Sequence, residues 1–180
     1  MPESWQVVKV GDVLTLQRGY DLPESDRQLG NVPIVSSSGI FRTHTIAKEK
    51  GPGVVTGRYG TIGKVFYIEP DYWPLNTTLF VKDFKGNDPL FIAYFLETIR
   101  LETFNDKTSV PGINRNHVHN AVVGFPSLDE QHTIAATLRA CDAKIAALER
   151  EAQVLDELFR AMLDELMTGK LSALALAELA

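Results

Sequence analysis

The stretch from Ser127 to Gly169, SLDEQHTIAATLRACDAKIAALEREAQVLDELFRAMLDELMTG, predicts one long helix. Its apolar residues are spaced alternately four and three positions apart, which is the a/d pattern of a coiled-coil seam. This apolar stripe consists of Ile134, Leu138, Cys141, Ile145, Leu148, Ala152, Leu155, Phe159, Met162 and Leu166. At about 1.5 Å per residue the helix would be about 60 Å long. A small domain cannot cover such a length, so the stripe predicts a partner helix.

The two ends of the predicted helix carry boundary residues. Ser127 and Glu130 have the S-x-x-E spacing of a capping box directly after Pro126, and Gly169 is a typical left-handed terminator. We therefore divide the chain into a globular domain over residues 1–126, a long helix over residues 127–169 and a tail over residues 170–180.

Cysteine content and hydropathy restrict the environment of the chain. Cys141 is the only cysteine and lies in the predicted stripe, so a disulfide framework is excluded and a reducing cytoplasm is expected. The sequence has no long apolar run and no signal-peptide pattern, so we expect no membrane span.

Short β-branched or alternating segments before the long helix predict a sheet-rich domain. Predicted strands cover residues 5–10, 32–35, 40–46, 53–56, 64–68, 77–81 and 121–125, with a short turn over residues 13–16. Asp88 and Pro89 open a helix with a one-sided apolar face, and Asn114 caps a second, shorter helix. The predicted fold class is α+β, a small β-rich globular domain followed by one coiled-coil helix.

The formal net charge of −5 is unevenly distributed. Thirteen Lys and Arg balance thirteen Asp and Glu in residues 1–128, so the acidic excess lies in the long helix and the tail. Within the neutral part, residues 40–68 carry five basic residues, including Arg42 and Lys64, against Glu49 as their one acid. Such a basic segment is typical of phosphate contact, but also of an ordinary solvated loop.

Two polar loops are candidates for contacting DNA. Gly57, Gly60 and Gly63 frame a loop that presents Arg58 and Tyr59 between two strands, without the P-loop or dinucleotide spacing. A second cluster surrounds Gly112, although hairpin and capping roles explain several of its residues equally well. From charge and loop placement, the predicted DNA-binding residues are Ser37, Arg42, His44, Arg58, Tyr59, Lys64, Thr108, Ser109, Asn114, Arg115 and Asn116.

Catalytic and metal-binding patterns are weak. Asp71, Asp83 and Lys85 approximate the P-D…D-x-K pattern of metal-dependent nucleases, in which two carboxylates hold Mg²⁺. The alternative is that these acids belong to turns. The four histidines lack zinc-ligand spacing, so we expect no metal site in this chain. No nucleophile motif is present.

Several landmarks taken together resemble a known family. They are Trp5 before Gly11-Asp12, Gly57-x-x-Gly60-x-x-Gly63, Phe125-Pro126-Ser127-Leu128-x-Glu130-Gln131, Ile134-Ala135 and Thr168-Gly169-Lys170-Leu171. This set is similar to that of the specificity subunit of type I restriction–modification systems. The segment that opens the long helix and the one that closes it are its most specific parts.

The resemblance implies a non-catalytic subunit with a DNA target recognition domain and a spacer helix. Such subunits direct a methyltransferase subunit, which binds S-adenosylmethionine, and a restriction subunit, which uses ATP and Mg²⁺; this chain would carry no cofactor itself. The usual family member has two recognition domains and two antiparallel spacer helices. This sequence has one of each and looks like a half-subunit.

A single stripe together with this resemblance predicts a homodimer. Its predicted interface contains Ile134, Leu138, Cys141, Ile145, Leu148, Leu155, Phe159, Met162 and Leu166. Two-fold symmetry would place two identical recognition domains on a bipartite, palindromic DNA site. The alternatives are the small metal-dependent nuclease and a coiled-coil oligomeriser whose globular part binds protein or sugar.

Overall fold

The structure is a computed structural model that describes residues 2–105 and 112–172. The chain forms two compact units, of which the first ends at Ala135 and the second begins at Ala136. The first unit therefore includes the opening turns of the long helix, beyond the boundary at residue 126 that the sequence predicted. Gln131 and Ala135 are buried there, which explains the difference.

The order of elements is that of a mixed α+β chain, which confirms the predicted fold class. The strands are β1 Gln6–Lys9, β2 Thr15–Arg18, β3 Val32–Ser36, β4 Gly39–His44, β5 Gly53–Gly57, β6 Val65–Ile68, β7 Trp73–Pro74, β8 Thr78–Asp83 and β9 Val122–Phe125. The helices are α1 Val10–Val13, α2 Pro89–Thr98, α3 Arg115–His119 and α4 Leu128–Met167, with 3-10 turns at Glu24–Asp26 and Leu101–Phe104.

The described strands form three small sheets. The central sheet has the order β2-β8-β5-β6 and is antiparallel throughout. In the sheet β4-β3-β7, β7 pairs with β3 in parallel. The sheet of β1 and β9 joins the start of the domain to the residues just before α4.

The central sheet separates two apolar clusters. Val54 and Leu79 point into the main cluster, whereas Val55 and Phe80, their neighbours in sequence, point into the second. Alternation of side chains between the faces of a strand explains this division and the burial of all of β5 and of the first four residues of β8. The helix α2 packs on β5 and β6 on the side of the main cluster.

The predicted start of α2 is confirmed. The Asp88 carboxylate accepts a hydrogen bond of 2.7 Å from the Phe91 amide, and Pro89 occupies the first helical turn. Phe91 and Phe95 then meet the Phe125 ring edge to face, with centroids 5.5 and 5.1 Å away. These contacts hold the end of β9 against α2.

One buried side-chain amide, that of Gln131, fixes the first turn of α4. Gln131 is 1% exposed; its Oε1 accepts from the Asp88 amide at 3.1 Å. Its Nε2 donates to Asn87 Oδ1 at 2.9 Å and to the Pro126 carbonyl at 3.1 Å. At the preceding residue, the Trp5 indole donates to Glu130 Oε1 at 2.9 Å. The predicted capping residue Glu130 therefore also makes a contact distant in sequence.

The second unit is helical up to Met167, and its apolar stripe is largely exposed. Phe159 is 64% exposed, and Leu138, Ile145, Leu148, Leu155 and Met162 are exposed as well. The predicted interface residue Ile134 is different, because it lies in the first unit and packs on the main apolar cluster. The exposed stripe therefore begins at Leu138.

The end of α4 confirms the predicted terminator. Gly169 has a φ of 73°, and the Leu171 amide donates to the Glu165 carbonyl at 3.1 Å, six residues back. In the ranges that the structure describes, no helix, α4 included, combines the length and the apolar character of a membrane span.

The sequence prediction was wrong over residues 10–18. The predicted turn over residues 13–16 is replaced by the end of α1 at Val13 and the start of β2 at Thr15. Pairing with β8, more than sixty residues away, makes this short polar segment a strand. Local composition carries little signal for such a contact.

We predict that Gln131→Leu lowers the free energy of unfolding by about 1–3 kcal/mol or more, because buried hydrogen-bonding groups lose their partner. Chemical denaturation followed by the fluorescence of Trp5 and Trp73, which both belong to the first unit, measures this. Gln153→Leu is the matched control, since Gln153 is exposed on the same helix. Equal losses in both variants would contradict a special role for Gln131.

Candidate nucleic-acid interface

The two polar loops singled out in the sequence lie side by side. The Ile113 amide donates to the Arg58 carbonyl at 3.0 Å, and Tyr59 and Gly112 form an antiparallel bridge. A second bridge joins Ile113 to Asn105. The glycine loop and the segment before α3 therefore form one continuous surface, although about fifty residues separate them in sequence.

The glycine loop is held by backbone hydrogen bonds and by its glycines. The amides of Arg58 and Tyr59 donate to the Thr77 carbonyl at 2.8 and 3.2 Å. Gly60 and Gly63 have φ values of 76° and 87°, which side chains with a Cβ rarely adopt. The Arg58 guanidinium lies over the Tyr59 ring, 4.4 Å from its centroid. This stacking restricts the orientation of the guanidinium plane.

Asn114, Arg115 and Asn116 are exposed at the start of α3. The Asn114 side-chain oxygen accepts from the Asn116 amide at 3.0 Å, which confirms the predicted cap of this helix. The Arg115 Nη1 atom lies 3.5 Å from the Leu16 carbonyl, a long contact that leaves most of the guanidinium available.

A cavity of about 430 Å³ opens between these segments. Arg58, Tyr59, Asn114 and Arg115 line it, together with Gly112, Ile113 and Leu79. Arg18, the last residue of β2, lies in the same lining. Arg18 is absent from the predicted DNA-binding residues. Its place beside the glycine loop depends on the pairing of β2 with β8, which no local sequence pattern indicates.

The other predicted DNA-binding residues have different positions. Ser37 lies beside the glycine loop, since its Oγ is 3.7 Å from the point where a Cβ on Gly60 would lie. Lys64 is exposed at the end of the same loop. Thr108 and Ser109 lie outside the described residues.

Two predicted residues are engaged elsewhere. Arg42 forms an exposed ion pair of 2.7 Å with Glu24. His44 is only 4% exposed; its Nδ1 accepts from the Gln28 amide at 3.1 Å, and its ring meets Trp73 edge to face. Its burial corrects the assignment of His44 to a DNA-facing surface.

The residues of the nuclease alternative are used in turns. Asp71 accepts from Lys50 at 2.7 Å and from the Gly51 amide at 3.1 Å. Asp83 accepts from the Lys85 amide at 2.8 Å, and the Lys85 side chain donates to the Gly11 carbonyl. Among the residues with described positions, no group of three His, Cys, Asp or Glu is arranged to hold a metal ion.

His119 lies one turn after Arg115 on α3 and is partly buried. Burial, together with the positive charges of Arg115 and Lys85, holds the pKa of His119 below its usual value of 6.5. Its Nε2 accepts a hydrogen bond of 2.8 Å from the Leu16 amide, and only the neutral imidazole can accept it. The neutral form therefore joins α3 to the start of β2.

We predict that the domain loses stability as the pH falls below about 6.5. The folded state holds His119 at a lowered pKa, so the unfolded chain binds a proton first, and acidification favours unfolding. The contribution is complete above pH 6.5 and is lost as the pH falls through the lowered pKa. Denaturation at several pH values between about 5 and 7.5 measures it.

His119→Gln is the corresponding variant, because glutamine keeps an acceptor for the Leu16 amide but does not titrate in this range. Its stability should fall less steeply over the same pH interval. Parallel curves for the variant and the wild type would exclude His119 as the source.

A family model described as the type I restriction modification DNA specificity domain matches residues 2–157. No curated protein matches the chain. Solved structures do match. One is a structure explaining complex assembly and conformational transition of the type I R-M system, with 21% identity, a TM-score of 0.71 and coverage of 92% of this chain and 46% of that chain.

Two S subunits show the same fold. The type I S subunit from M. genitalium has 16% identity and a TM-score of 0.70 over 91% of this chain and 46% of its own. The HsdS subunit from Thermoanaerobacter tengcongensis has 18% identity and a TM-score of 0.64 over 92% and 45%. The chain thus spans slightly less than half the length of these relatives. Because the family model matches most of its length, the chain belongs to the family of type I restriction modification DNA specificity domains.

Proposed function

We propose that the chain is a non-catalytic, sequence-specific DNA-recognition subunit of a type I restriction–modification enzyme. The match of residues 2–157 to the specificity-domain model carries this proposal. The joined glycine loop and α3 segment support it, because they assemble exposed arginine and amide side chains of the kinds that contact phosphates and base edges.

In this proposal the DNA-contacting surface is centred on Arg58, Tyr59, Asn114, Arg115 and Asn116. Ser37 and Lys64 lie at its edge, in the adjoining turn and loop. Arg42 is a more distant candidate, since DNA would have to compete with its ion pair to Glu24. Such exposed pairs stabilise by at most about 1 kcal/mol, so the competition is weak.

The apolar stripe of α4 supports dimerisation. Exposed leucine, isoleucine and phenylalanine side chains at a/d spacing gain free energy when a second helix removes them from water. The solved relatives are about twice as long as this chain. Two copies paired antiparallel would supply two recognition domains and two helices with two-fold symmetry.

Such a dimer would recognise a bipartite, palindromic site, with two identical half-sites separated by base pairs that are not contacted. A paired helix on the order of 50–60 Å long exceeds one helical turn of DNA, about 34–36 Å. The half-sites would therefore be separated by a few unread base pairs. The length of α4 would set that separation.

The proposed assembly includes a methyltransferase subunit and a restriction subunit. S-adenosylmethionine, ATP and Mg²⁺ would bind to those partners, and this chain would direct them to the site. The acidic residues of α4, among them Glu149 and Glu157, would repel phosphate and are better suited to a protein neighbour than to DNA.

Methylome sequencing of cells that express this chain with its methyltransferase tests the proposal. The expected result is methylation at one bipartite site with identical half-sites. Absence of sequence-specific methylation would contradict the recognition function. A site without two-fold symmetry would contradict the dimer but not the recognition function.

We predict that Leu148→Asp combined with Leu155→Asp converts the dimer to a monomer, because two carboxylates would have to be buried in an apolar seam. Sedimentation velocity measures the change. Ala143→Asp with Ala147→Asp is the matched control. Both alanines are exposed and lie off the stripe, and their substitution adds the same charge to the helix. A dimer that survives the first pair of substitutions would exclude the stripe as the interface.

A further inference from the structure

We propose that the cavity between β2, the glycine loop and α3 binds a backbone phosphate of the DNA, and that Arg18 contacts it together with Arg58 and Arg115. The inference rests on the proposed function and deepens it. It assigns one pocket of the surface to phosphate rather than to a base, and it adds a contact residue from β2.

The charge of the cavity favours an anion. Three arginines line it, and no acidic residue is among the described residues of its lining. Like charges around one pocket repel each other, and an anion placed between them relieves that repulsion. A neutral base edge would not.

The hydrogen-bonding groups of the lining are mainly donors. The arginines carry N–H groups and no acceptor. The Asn114 side-chain oxygen is engaged with the Asn116 amide, so this side chain offers its NH₂ group to a ligand. A phosphate presents only acceptors, and guanidinium groups bind it in a bidentate manner. Adenine and cytosine edges would require acceptors from the protein. A guanine edge presents acceptors as a phosphate does, but it is neutral and would not offset the positive charge of three arginines.

The carboxylate of Asp21 pairs only weakly with Arg18 and can be exchanged. Asp21 lies 3.4 Å from the Arg18 guanidinium, and these side chains are 70% and 50% exposed, respectively. The same Asp21 oxygen also accepts from Asn76. An exposed, shared ion pair of this length contributes little, so a phosphate can replace Asp21 at small cost.

The three arginines lie on backbone segments that are already fixed in the absence of DNA. Arg18 ends β2 opposite Leu79 of β8, the Arg58 backbone is fixed to Thr77, and Arg115 opens α3. Each side chain therefore starts from an anchored backbone. Preorganised donors lose less entropy when the ligand binds. A phosphate held at such a point fixes the position of the duplex without carrying sequence information.

The experiment measures DNA binding by fluorescence anisotropy with the full chain in complex with its methyltransferase. Cognate and non-cognate duplexes are titrated at several salt concentrations. Because the three arginines share one phosphate, Arg18→Gln and Arg115→Gln are each expected to weaken both duplexes by a similar factor, up to roughly eightfold at 0.1 M salt, and to reduce the salt slope by up to about 0.9, the value for one phosphate contact.

Two further variants test whether the loss of affinity depends on a positive charge at the cavity itself. Arg18→Lys keeps the charge and should retain nearly the whole salt slope. Arg160→Gln is the matched control, because it removes the same charge from an exposed position on α4 and should change neither the affinity nor the slope. Circular dichroism of each variant confirms that it is folded.

The phosphate assignment is overturned if Arg18→Gln and Arg115→Gln weaken only the cognate duplex with an unchanged slope, which is the behaviour of a base contact. It is also overturned if both variants bind as the wild type does. If the wild-type complex itself fails to distinguish cognate from non-cognate DNA, the proposed function fails, and the phosphate site fails with it.

Discussion

The hydrogen bonds of the buried Gln131 amide are the constraint on which the first unit depends. This side chain joins the turn before α2 to the start of α4, because its partners are Asn87 Oδ1, the Asp88 amide and the carbonyl of Pro126, the residue after β9. A buried amide that misses a partner costs about 1–3 kcal/mol, so this arrangement excludes alternative positions for the start of α4. Trp5 and Glu130 bring the first strand to the same point.

The surface of the glycine loop and α3, which we propose contacts DNA, lies in the same closed unit. The pairing of β1 with β9 joins the first strand of the domain to its last strand, and the other described strands lie between these two in sequence. The glycine loop and α3 then meet through backbone hydrogen bonds rather than through mobile side chains. Contacts to DNA made from such a framework can be precise, since the backbone does not have to reorganise.

Predictions from sequence succeeded where residues within one or two helical turns of each other determine the local structure. The caps at Asp88 and Asn114, the terminator Gly169 and the long periodic helix are all of this kind. Contacts distant in sequence carry no such local signal. His44 is buried by its contacts with the Gln28 backbone and Trp73, and Ile134 packs partly on the domain core although its spacing fits the stripe. The position of Arg18 in the cavity lining depends on the pairing of β2 with β8, which is also distant in sequence.

Net charge was a poor guide to this surface, and the distribution of ion pairs explains why. Residues 1–128 are neutral in total, but several acids lie beside a basic partner away from the cavity, as in the pairs Glu24–Arg42, Glu49–Lys82 and Asp71–Lys50. Each of these acids pairs with a basic residue that is not in the described lining of the cavity. In the lining, Arg18 is paired with Asp21 only through a long, exposed contact, which lowers its positive charge little. A neutral domain can in this way present a strongly positive site, and its specificity can rest on the few side chains around that site.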